Sequence, residues 1–152
     1  MTDALAARVP AVYRREAVGA RLFAAAIAAA CLAVLLAAAT IQPNASGHGS
    51  HTQLGLPACG WATVTGKPCP TCGMTTAFAH AAHGRFDRAF VTQPLGALLA
   101  LTAAGTFWVA GYTAVTGSRL GRWCATMLRP RTLWVLGGLL VVSWIYKILT
   151  WT

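Results

Sequence analysis

Three long apolar runs, separated by stretches in which polar and turn-forming residues collect, set the layout of the chain. A helix needs about 20 apolar residues to cross the hydrocarbon core of a bilayer. The first run, residues 22–41, carries no charge and is long for the core of a cleaved signal peptide, although Ala39-Thr40-Ile41 offers a loose small-residue context for cleavage. It is mostly alanine, which favours packing through small side chains against another membrane protein or a second copy of the chain. The second run, 95–115, opens after Gln93-Pro94, with the proline in the first turn, where no donor is lost. In the third, 133–149, Trp134, Trp144 and Trp151 stand like interfacial anchors. Lys147, within a turn of its end, can extend to the headgroups. The pattern predicts an all-α membrane protein with three transmembrane helices.

Composition sharpens this. Of 152 residues, 57% are hydrophobic and 10% charged, and the mean hydropathy is +0.58. A soluble domain carries about 25% charged residues to solvate its surface. So few charges exclude an ordinary cytosolic enzyme, and so apolar a chain excludes disorder. The net charge of +9 would suit nucleic acid only with a basic face or a reader motif, and the sequence shows neither. Lipid is the expected partner.

The basic residues orient the spans, since Lys and Arg concentrate on the cytoplasmic side. Residues 1–21 hold Arg8, Arg14, Arg15 and Arg21. Residues 116–131 hold Arg119, Arg122, Arg129 and Arg131 with no acid. The long stretch 42–93 has only Lys67, Arg85 and Arg88, partly offset by Asp87. The expectation is a cytoplasmic N-terminal arm and 116–131 loop, with the 42–93 loop and the C-terminus extracytoplasmic. The Ala- and Arg-rich composition points to a bacterial cytoplasmic membrane, which leaves the Asn44-Ala45-Ser46 glycosylation pattern idle.

The long loop carries the candidate chemistry. Its first part, with His48 and His51, reads as a flexible linker. From Cys59 the sequence tightens to Cys59-Gly60-Trp61, then Thr65-Gly66-Lys67-Pro68-Cys69-Pro70-Thr71-Cys72-Gly73-Met74. Gly66 and Pro68 punctuate a turn. Cys69 is expected as an N-cap, with Pro70 first and Cys72 third in a short interfacial helix over about 71–83 that Gly84 stops. Thr76, His80 and His83 would share one face of that helix, with Met74, Phe78 and Ala82 on an apolar one.

Three chemistries use these atoms. A thiol at a helix N-terminus is favoured as thiolate, so Cys69 could attack a disulfide and Cys72, one turn on, resolve it, with Cys59 as a third member. Alternatively Cys59, Cys69 and Cys72 with His80 or His83 could hold zinc as a Cys3His set. Otherwise a disulfide staples the loop, with Cys59, Gly66, Pro70, Gly73, Gly84 and Pro94 as structural positions. Cys31 reads as a small apolar residue within a span and Cys124 as a lone thiol. No strand–helix alternation supports a thioredoxin fold.

At these residues the chain resembles a bacterial family of small multi-pass membrane proteins of unknown function. Its hallmark is Thr-Gly-x-x-Cys-Pro-x-Cys-Gly-x-Thr-Arg-Ala, then a Gly-rich turn and Asn-Pro-Leu entering the next span. The matching residues are Thr65-Gly66, Cys69-Pro70, Cys72-Gly73, Thr75, Ala77, Gly84, Ala89 and Pro94-Leu95, within a stretch from Cys59 to Val115. Thr76 stands where the family has arginine, and Gln93 where it has asparagine. The resemblance implies the architecture and brings no activity.

The leading expectation is a non-enzymatic accessory or binding subunit in which the cysteine turn is structural. The alternatives are a membrane thiol–disulfide oxidoreductase using Cys69 and Cys72, or a zinc-binding membrane protein. A transporter would need buried charges and broken helices in paired halves, which are missing. Three scattered acids, Asp3, Glu16 and Asp87, exclude paired-carboxylate catalysis.

Overall fold

The computed structural model describes residues 11–118 and 130–151, with side chains described from Val18 onward. Arg8, Arg119, Arg122, Arg129 and Cys124 therefore lie outside the described residues, as do the side chains of Arg14 and Arg15. The described chain is all helix and turn, with no strand.

Three helices are long and apolar enough to cross a membrane, which points to a membrane location. The first, α1, runs Ala11–Thr40, so its helix begins well before the apolar run. The second, α5, is Pro94–Thr116, and the third, α6, is Pro130–Leu149. At about 1.5 Å per residue, 20 to 23 helical residues reach the roughly 30 Å of a bilayer core.

α1 and α5 form the most extensive helix pair. The buried residues of α1 are alanines, Ala24, Ala28 and Ala38, and α5 buries Ala97, Ala100 and Ala110. Small side chains let two backbones approach closely, which is how helices associate where lipid removes the hydrophobic drive between them. At one end Arg21 of α1 closes the pair, its guanidinium donating to the carbonyls of Ala114 and Val115 at 2.9 and 2.8 Å. These are orphan acceptors of the last turn of α5.

The other end is capped by the 41–93 segment, which is more structured than a linker. It holds a 3-10 turn at Ser50–Leu54 and three short helices, α2 (Gly60–Thr65), α3 (Met74–Ala82) and α4 (Phe86–Thr92). α3 lies on α5, α4 and α1, with Ala77 packed against Ala89 and Ala97. Met74 and Phe78 face Val34 and Ala38 of α1, and Ile41 just beyond it, across an apolar cleft. The approach is close: a Cβ on Gly96 would lie 3.0 Å from that of Ala77.

α6 is inverted relative to a soluble helix. Its large apolar residues face outward, and its buried residues are polar, Ser143 and Lys147. They stand four apart, on one face, and that face meets the capped end.

Candidate functional site

The cysteine corner is built from turns rather than from a helix start. The Cys72 amide donates to the Cys69 carbonyl, and the Met74 amide to that of Thr71, at 3.0 and 3.1 Å. Helix α3 begins only at Met74. Gly73 has φ +85°, a left-handed conformation that breaks the helical path and that glycine adopts without strain. The expected N-cap at Cys69 and first helical position at Pro70 are thus corrected: both residues belong to the preceding turn.

Three thiols meet there. Cys59 stands at the N-cap of α2, and it and Cys72 are near enough to Cys69 to lower its pKa. The Thr71 hydroxyl is 3.4 Å from the same sulfur. All described cysteines are free thiols. Burial pushes the Cys69 thiol up, but the hydrogen bonds of Thr71, Cys59 and Cys72 outweigh it and leave its pKa below the usual thiol value. Cys72, 7% exposed, moves the other way. Burial, then the neighbouring Cys69 and Cys59, push it up to about 11, against an opposing pull from Lys147. The two neighbouring thiols are thus shifted in opposite directions.

The corner is held from outside. The Trp144 indole donates to the Pro68 carbonyl at 2.9 Å. The Gln93 amide, fully buried, donates to the Pro70 carbonyl at 3.4 Å, while its own Oε1 is buried without a partner. Lys147, 6% exposed, donates to the carbonyls of Gly47 and Thr92 at 3.2 and 3.3 Å. Tyr146 donates to Val91 at 2.8 Å, and Ser143 accepts the amide of Leu95 at 3.3 Å. Ser50 and Thr76, both buried, share a 2.8 Å bond. His48 stacks on Trp151 with ring centroids 4.4 Å apart.

The other sequence candidates sit around this centre. Gly66 ends α2 at φ +67°, donating to Ala62. Gly84, at φ +72°, turns the chain out of α3, and Pro94 opens α5. His80 and His83 do not approach the thiols. His80 on α3 and His83 at its C-cap lie about 10 Å or more along the axis from Gly73. The His83 ring bonds the Ala79 carbonyl at 2.7 Å, and His80 Nδ1 is buried without a partner. Burial, then the charges of Arg85 and Arg88, lower the His80 pKa. Among the described residues, no three His, Cys, Asp or Glu side chains are grouped so as to hold a metal ion.

Sequence reasoning missed the part played by α6. Lys147 does not extend to headgroups but turns inward, and Trp144 and Trp151 reach the loop. The legible signal was the polar pair Ser143 and Lys147 at helical spacing inside an otherwise apolar run.

The fold and corner define a small helical protein with three apolar helices of membrane-spanning length and a thiol cluster at one end. Residues 59–107 match the model of the family described as a protein of unknown function, DUF2752. That stretch is similar to the family from Cys59 through α3 and α4 into α5. No curated protein and no solved structure matches the chain.

Proposed function

We propose that the chain is a membrane thiol–disulfide exchange protein in which Cys69 attacks and Cys72 resolves. The observation that carries this reading is the turn that holds Cys69 and Cys72 three residues apart as free thiols, the Cys72 amide donating to the Cys69 carbonyl at 3.0 Å. The Cys69 thiolate attacks a substrate disulfide, forming a mixed disulfide and releasing one substrate thiolate. Cys72 then attacks the Cys69 sulfur. The Cys69–Cys72 bond forms, the bond to substrate breaks, and the second substrate thiolate leaves with the proton that Cys72 gave up. Two electrons pass from the cysteine pair to the substrate. The lowered Cys69 and raised Cys72 suit these roles, because the attacking thiol must be ionised at rest and the resolving one need not be.

The same fold could serve an accessory subunit with a structural turn, the reading the sequence favours. Yet the corner is already fastened by Trp144, Gln93 and Lys147, so a disulfide staple adds little to its placement. The arginines that collect in residues 1–21 and 116–131 of the sequence support an orientation in which the thiols face the extracytoplasmic side of a bacterial cytoplasmic membrane.

The test is trapping in intact cells. Cys72→Ser should accumulate reducible mixed disulfides through Cys69, and Cys69→Ser should accumulate none. Absence of adducts on Cys72→Ser, with Cys69 open to alkylation, rejects exchange. Stoichiometric zinc in the purified protein, lost on Cys69→Ser, replaces exchange by the metal reading.

A further inference from the structure

Lys147 is a buried cation in an apolar helix. An ammonium removed from water is costly unless it is paired or fully hydrogen-bonded. Its three N–H donors meet two carbonyl oxygens, of Gly47 and Thr92. No carboxylate among the described residues neutralises it. The chain has three acids, of which Glu16 lies near the start of α1 at the far end of the bundle and Asp87 is exposed on α4. Asp3 is outside the described residues.

What the ammonium does face is the cysteine corner. A Cβ on Gly73 would lie 3.3 Å from Lys147 Nζ, so the charge sits against the residue that follows Cys72. Its charge pulls the Cys72 pKa down against the burial that raises it. The ionisable groups facing Cys72 are Cys69 from the turn, Cys59 from the N-cap of α2 and Lys147 from α6. His48, stacked on Trp151, faces Lys147 from the linker. Among these, Lys147 carries the only ammonium.

We propose that Lys147 is the positioning residue of the thiol site, its buried ammonium serving as counter-ion to the Cys72 thiolate when Cys72 attacks the mixed disulfide on Cys69. The inference rests on the exchange reading above. Two neighbouring thiols oppose a negative charge on Cys72, and burial opposes it further. An opposite charge at close range offsets both. Once Cys72 has spent its electron pair in the Cys69–Cys72 bond, the ammonium returns to its two carbonyls. The gate on resolution is thus a side chain of α6, some 75 residues beyond the turn, a distance along the chain read from the residue numbers.

The experiment measures iodoacetamide alkylation of each cysteine, resolved by peptide mass, across pH in the reduced full-length chain in detergent. Lys147→Gln keeps N–H donors for the two carbonyls and removes the charge. It should slow Cys72 alkylation at mildly alkaline pH by about tenfold, the effect of roughly one unit in a pKa, and leave Cys69 unchanged. Lys147→Arg keeps the charge and should hold Cys72 near the wild-type rate. An unchanged Cys72 profile in Lys147→Gln, or equal slowing of Cys69 and Cys72, overturns the proposal. Should Lys147→Gln not fold, loss of Cys72 reactivity in folded Lys147→Arg overturns it equally. Trapping on Cys69 does not need an ionised Cys72, so the exchange reading and this inference fail independently.

Discussion

Trp144 donates its indole N–H to the carbonyl of Pro68 at 2.9 Å, across 76 residues of chain. Pro68 is among the most deeply buried residues, and its carbonyl opens the cysteine turn. Trp144→Phe keeps an aromatic ring and removes the donor, leaving a buried acceptor unmet. The expected cost is about 1–3 kcal/mol, read as a lowered melting temperature in detergent. Amide exchange should also quicken at Cys69, Thr71 and Cys72. Unaltered exchange in this variant would mean that the turn holds itself.

Gly73 separates two effects that glycines often combine. At φ +85° a Cβ would meet the Gly47 carbonyl at 2.6 Å and Lys147 Nζ at 3.3 Å. Gly55 has a similar φ, +75°, with nothing within 4 Å. Gly55→Ala should therefore cost only the conformational term, about 1–2 kcal/mol. Gly73→Ala should cost clearly more, because backbone must also move. Comparing the two melting curves isolates the packing share, and equal losses would show that Gly47 yields freely.

Thr71 helps to hold the Cys69 thiolate, its hydroxyl 3.4 Å from the sulfur. Removing a hydrogen bond to the charged form raises a pKa. Thr71→Val should accordingly shift the pH profile of Cys69 alkylation to higher pH, with fold and melting temperature nearly unchanged because Thr71 is exposed. A profile that stays in place would assign the lowering to Cys59, Cys72 and the Thr71 backbone N–H.

Two histidines give the fold an acid limit. Burial, then Lys147, lowers the pKa of His48, and burial, then Arg85 and Arg88, lowers that of His80. With folded values below the ordinary 6.5, the unfolded chain binds protons first as pH falls. Stability is then full above the unfolded value and declines as pH drops through the folded ones. Melting temperature should fall on acidification, and a double His48→Gln, His80→Gln variant should flatten that slope. An equally steep slope in the double variant would place the acid sensitivity elsewhere.

The spans were legible because lipid imposes a simple rule on sequence: long uncharged runs with charges at their ends. The corner was legible as a turn, since Gly66, Pro68 and Pro70 leave few other paths. Its helix, expected over about 71–83, begins three residues later at Met74, because Pro70 suits a first turn whereas the left-handed Gly73 decides where helical geometry can begin. α4 was hidden by its length of seven residues and by charges at Asp87 and Arg88 that give no clean period. Gathering Cys59 with Cys69 and Cys72 depends on how α2 turns back at Gly66, which spacing alone does not specify. The inward course of Lys147 was harder still. Along one helix it looks like any cation near a span's end, and only the carbonyls of Gly47 and Thr92, brought in from elsewhere, show otherwise.

The polar face of α6 also fixes an order of events. A ribosome makes the three thiols, and the turn that carries them, before it makes Ser143, Trp144, Tyr146 and Lys147. During synthesis the cysteines are thus free to react before the side chains that fasten them exist. The nascent chain is most open to oxidation or capture by metal in that interval, and insertion of the last helix is the moment at which the corner closes.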